Sequence, residues 1–131
     1  MPNITNMDKR DMQMGGPVEN AYGFELMTTA DLLTAKAGGG QSAVPTITTQ
    51  MARFTTVASA NDSATLPFTS QLAGVQLTIS NAAGVNSMNV FPAVGEVINA
   101  QAANAAFAVA AGKTLTLSCF GIGVWHTILS A

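Results

Sequence analysis

The chain has 131 residues, enough for one domain with a real core, and its five basic and seven acidic side chains leave a net charge of −2. Charged residues make up 9% of it, against roughly 25% in ordinary soluble domains. Lys9, Arg10, Lys36, Arg53 and Lys113 form no basic stripe, which argues against nucleic acid as a direct partner. The single cysteine, Cys119, excludes an internal disulfide framework, and no unbroken apolar run is long enough for a membrane-spanning helix.

In chain order, "MPNITNMDKRDMQMGG" lacks an apolar segment after its charges and is expected to be no secretory signal. "MQMGGPVENAYGFEL" spaces glycine and proline so that no regular element extends far. "TTADLLTAKAGGG" predicts a short helix: Thr28 or Thr29 caps it, Asp31 lies near its positive end, and Gly38 to Gly40 stop it. "GGGQSAVP" reads as a flexible connector. Residues 1–50 are therefore expected to form an extended N-terminal arm and linker with at most one short helix. With Tyr22, Phe24, Leu26, Met27 and further methionines but little core of its own, that arm is expected to dock on another surface.

From Phe54 onward the only charged side chains are Asp62, Glu96 and Lys113, and the chain reads as β. "VQLTISN" and "KTLTLSC" alternate apolar and hydroxyl residues as half-buried strands do, placing Cys119 inside with Leu115 and Leu117. "MARFTTVAS", "NSMNVF", "FAVAA" and "GVWHTIL" are further strands, separated by turn chemistry in "ASANDSA", "SNAAGVNS", "PAVGE", "AAGKT" and "FGIG". Short strands at such spacing predict a mainly β domain over 51–131, a small antiparallel β-sandwich or barrel. The alanines of "AQAANAAFAVAAG" favour helix, but a central Asn104 and the lack of a charged face do not. A loop at Gln101–Asn104 leading to a strand at Ala106–Ala110 is the expectation.

Catalytic chemistry is thin. His126 is the sole histidine, placed by alternation on the face opposite Trp125, and no His/Cys/Asp/Glu cluster accompanies it to hold a metal. Asp62 in "SANDSA" suits a turn, and Glu96 in "PAVGEVIN" a hairpin end. The glycines of "AKAGGGQS" lack the lysine and strand–helix context of a phosphate cradle. No catalytic residue, cofactor or metal is expected. Phe91, Phe107 and Trp125 are assigned to the core or to contacts between copies.

One ordered set of features carries a resemblance. Leu66-Pro67 is followed by Gly74 and a strand ending at Asn81. Next come a strand ending in Phe91-Pro92, a Gly-x-x-Ile-Asn at Gly95, Ile98 and Asn99, and an alanine-rich segment. A glycine hairpin at Gly112 and a closing Gly-x-x-x-Trp at Gly121 and Trp125 complete it. The order resembles a β module of tailed-phage virion proteins, in particular capsid decoration (cement) proteins. The resemblance implies a non-enzymatic protein on the outer capsid surface of the virion, made in the host cytoplasm. It further implies that the protein binds the major capsid protein across capsomer junctions as a homo-oligomer, a trimer. Tyr22, Phe24, Leu26 and Met27 would then make the capsid contact. The same module in a tail or head fibre would instead be an adsorption protein contacting host glycan.

Overall fold

The computed structural model describes residues 26–131, so Tyr22 and Phe24 lie outside the described residues. The fold is mainly β, as expected. Among the described residues nine strands run in chain order: β1 (Thr29–Thr34), β2 (Met51–Thr56), β3 (Ser63–Thr65), β4 (Gln76–Asn81), β5 (Met88–Phe91), β6 (Val97–Ile98), β7 (Phe107–Val109), β8 (Thr114–Gly121) and β9 (Val124–Leu129). They form a large sheet, ordered β1-β2-β4-β8-β9-β6, and a small one, ordered β3-β5-β7. The only helical element among the described residues is a single 3-10 turn at Thr69–Gln71.

Alternation explains the main strands. In β4 the inward Leu77, Ile79 and Asn81 are buried, and in β8 the inward Leu115, Leu117 and Cys119 are. Leu77, Ile79, Leu115, Leu117 and Cys119 join Phe54 and Trp125 of the large sheet and Ala64, Met88, Val90 and Val109 of the small sheet in one core. Apolar area closed between the two sheets is the main stabilising term.

The pairing departs from the expected antiparallel plan. β4 with β8, β8 with β9, and β5 with β7 are antiparallel. β1 with β2, β2 with β4, β3 with β5, and β6 with β9 are parallel. The chain passes from the large sheet at β2 to the small at β3, back to β4 and across again to β5. Each return lays the new strand beside the previous one in the same direction, a solenoid-like stacking. Connections that cross between sheets, unlike tight hairpins, permit parallel neighbours.

Two expectations for the first fifty residues are corrected. The stretch predicted as a helix is β1, which pairs with β2 through Thr29↔Met51 and Ala30↔Ala52. With only Leu32 and Leu33 as large apolar residues, an isolated helix here is marginal, and the β2 ladder offers its backbone better partners. The connector is pinned. The Gln41 amide donates to the Pro92 carbonyl at 2.7 Å, and the Ser42 N–H donates to Thr65 Oγ1 at 2.9 Å. The Thr46 and Ile47 amides both donate to the Thr65 carbonyl at 3.0 Å, and Ile47 is buried in the core. Residues 29–50 thus share the core of the strands that follow, with no break at residue 50.

Asp62 is a turn residue, as its sequence suggests, but a buried one. Its two carboxylate oxygens accept the Gly38 amide at 3.1 Å and the Ser59 amide at 3.0 Å. The glycine loop closes tightly here: a Cβ on Gly39 (φ +67°) would lie 2.6 Å from the Asn61 carbonyl oxygen. Gly39→Ala is therefore expected to cost at least about 1–3 kcal/mol, read as a lower urea midpoint, whereas Ala at Gly38, which meets nothing within 4 Å, bears only the left-handed backbone penalty.

The alanine-rich segment forms turns because of its asparagines. Asn99 and Asn104 adopt left-handed φ values of 54° and 67°. Asn104 Oδ1 accepts the Gly95 amide at 2.6 Å, and the Asn104 amide donates to the Glu96 carbonyl at 2.9 Å. The loop then enters β7, as the sequence suggests.

Candidate functional site: an apolar loop end

Three loops meet at the end of the sheets where β8 turns into β9. Thr69, fully buried, ties them together. Its backbone N–H donates to the Glu96 carboxylate at 3.2 and 3.3 Å, and its hydroxyl donates to Glu96 Oε2 at 2.9 Å. The same hydroxyl accepts the Gly123 amide at 2.6 Å. Residues 68–72, 93–96 and 121–123 are thereby fixed to one another.

Each of these loops shows water a large apolar residue within two positions of the knot. Phe68 is 44% exposed, Val94 50% and Ile122 75%, while Phe120, just before the β8–β9 turn, is 77% exposed. Phe120 meets His126 edge-on, with ring centroids 5.4 Å apart. Glu96 is the one carboxylate in these loops, and its oxygens are engaged by Thr69. Beside these apolar residues the loops expose only Ser70 and Gln71 as polar side chains, both uncharged, and the hydrogen bonds beneath hold the loops together.

The arm joins this end. Met27 lines an open cleft of about 380 Å³ with Gly74, Gln76, Ser118 and Phe120. Leu26 and Met27, expected to be contact residues, are both exposed. Trp125, by contrast, is fully buried, and its indole N–H has no partner among the described residues. Phe107 is half-buried and packed against the core, and Phe91 is half-buried. The structure therefore brings Met27 to the loop end and places Trp125 in the core with Phe107 packed against it. Phe68, Val94, Phe120 and Ile122 were not singled out from sequence. The signal for two of them was "FGIG", large apolar residues flanking turn glycines where polar ones are usual.

The remaining reactive groups are enclosed or isolated. Cys119 is buried, its Sγ 3.3 Å from the Gly121 carbonyl, and burial pushes its thiol above the usual range. Its reaction with a thiol reagent is expected to be slow in the folded protein and complete in denaturant; equal rates would show the site to be open. Raising pH through the folded-state value ionises a buried thiol, so its contribution to stability is present at neutral pH and lost only in alkali. Among the described residues no group of three or more His, Cys, Asp or Glu is placed to hold a metal ion, and no helix is long and apolar enough to cross a membrane.

No protein-family model, curated protein or solved structure matches the chain.

Proposed function

We propose that the chain is a non-enzymatic virion structural protein, a capsid decoration (cement) protein on the outer surface of a phage head. It would bind the major capsid protein across capsomer junctions as a homo-oligomer and stabilise the shell by binding only its assembled form. The observation that carries this reading is the loop end, where Phe68, Val94, Phe120 and Ile122 stand exposed on a hydrogen-bonded support with Met27 beside them.

Such a patch suits a protein surface. Covering a Phe or Ile that is three-quarters exposed contributes about 1.5–3 kcal/mol, and an uncharged patch meets an uncharged shell surface without desolvating ions. Met27 lines a cleft with Phe120, and Leu26, Phe24 and Tyr22 precede it in the chain. The ordered motif from Leu66 to Trp125 that resembles phage virion modules supports the same reading. An adsorption protein contacting glycan would instead present aromatics among exposed acidic and amide groups.

The test is the protein's place in the virus. Mass spectrometry of purified particles from the source, with gold-labelled antibody against the purified chain, is expected to find it on the head in many copies. Absence from the particles would end this reading, and label confined to tail or fibre would favour the adsorption protein.

A further inference from the structure

β9 is bonded to β8 on one side along its whole length, but on its other side only as far as β6 reaches. The parallel partners are Val97↔Val124 and Ile98↔Trp125. The Val97 and Asn99 amides donate to the Gly123 and Trp125 carbonyls at 2.9 and 2.7 Å. Asn99 then turns the chain away, and its side chain caps Thr127: Oδ1 accepts the Thr127 amide at 3.0 Å and Nδ2 donates to Thr127 Oγ1 at 2.8 Å.

Beyond that cap the edge is open. The Ser130 amide donates to the Thr114 carbonyl at 2.9 Å, so the hydrogen-bonded positions facing β8 are Ser130, Ile128 and His126. Thr127 and Leu129 therefore aim their free backbone groups outward. Among the described residues, the Thr127 carbonyl and the Leu129 N–H and carbonyl have no partner.

The other edges are blunted. β1 is interrupted by register shifts and by Leu32 at φ 57°. β3 is bridged by Lys36, whose amide donates to the Ser63 carbonyl at 2.7 Å. β7 and β6 have only three and two residues. The outer half of β9 has no proline, no bulge and no charged side chain, the devices that normally keep edges apart. Ile128 beside it is 74% exposed and Leu129 40%.

We propose that the outer edge of β9 pairs antiparallel with the same edge of a second copy of this chain. The free groups are self-complementary about a two-fold axis at Leu129. Its N–H donates to the carbonyl of the partner's Leu129, and the reverse bond follows by symmetry. The Thr127 carbonyl then faces the amide of the partner's Ala131. Because Thr114 to Ala131 carry no Asp, Glu, Lys or Arg, two such strands meet without like-charge repulsion. One short strand pair buries less than the roughly 1,200 Å² of stable interfaces, so the contact is weak, with Kd on the order of 100 μM, and strengthens where copies are held close together. It is a two-fold contact, distinct from a three-fold ring, and it stands independently of the virion reading.

Sedimentation of the purified chain between ~10 μM and ~1 mM, a range bracketing that Kd, is expected to show a monomer–dimer equilibrium. Over the same range, hydrogen exchange at the Leu129 amide should slow as concentration rises. Leu129→Pro removes an outward N–H that the β8 ladder does not use, with an extended φ that a strand position can accommodate, and Ile128→Lys adds a charge at an exposed position. Each is expected to weaken dimerisation about tenfold or more, with unchanged circular dichroism. A trimer, a monomer throughout, or a dimer indifferent to both substitutions would overturn the proposal.

Discussion

Replacing Asn81 by leucine is expected to lower stability by roughly 3 kcal/mol and the thermal midpoint by about 10 °C. Asn81 is fully buried at the end of β4. Its Nδ2 donates to the Asn86 carbonyl at 3.0 Å and to the Val109 carbonyl at 2.9 Å, and its Oδ1 accepts the Ala83 amide at 3.1 Å. The side chain therefore ties the large sheet to β7 of the small sheet and closes the turn that leaves β4. Leucine has the same branched skeleton but is bulkier, and it deprives the Asn86 and Val109 carbonyls and the Ala83 amide of a hydrogen bond, at about 1–3 kcal/mol for each buried group left unpaired. Against a total stability of about 5–15 kcal/mol for a domain this size, that loss is large. A parallel shift of thermal and urea midpoints with an unchanged urea slope checks it. Midpoints within a degree of wild type would show that the sheets are held by apolar packing alone.

Neighbouring alternation made part of the fold legible. β4, β8 and β9 are half-buried, so their apolar–hydroxyl alternation names both the strand and its inward face. Trp125 is accordingly buried and His126 exposed. β1 was misread because Thr, Asp and Ala followed by three glycines look like a capped and terminated helix. What decides the matter is β2, some twenty residues away, and no local window contains it. β3 and β6 are three and two residues long and are embedded in turn chemistry, so they carry no period of their own. Parallel pairing was hidden for a related reason: it depends on where each connection crosses between sheets. Asn81 shows the limit most clearly. Its type suggested a strand end, yet its role rests on Val109, a residue brought near only by the folded chain.

The loop end was legible as chemistry but not as a place. "FGIG" and "PAVGE" read separately as turns and Leu66-Pro67 only as part of the resemblance, and the Thr69–Glu96–Gly123 hydrogen bonds are what bring these loops together. The loop end gives the second large effect. Phe120→Asp combined with Ile122→Asp is expected to weaken binding to purified particles by roughly a hundredfold or more, since two apolar side chains are replaced by charges at the contact. Both residues are about three-quarters exposed, so the double variant is expected to keep its melting temperature. Thr69→Val separates support from contact: it strips Glu96 and Gly123 of the hydroxyl that joins them while leaving Phe120 and Ile122 in place. It is expected to cost about 1–3 kcal/mol of stability and to weaken particle binding less than the double aspartate does. Particle binding that survives the double variant unchanged would move the contact away from this end of the molecule. The exposed arm residues Leu26 and Met27 would then be the next substitutions to make.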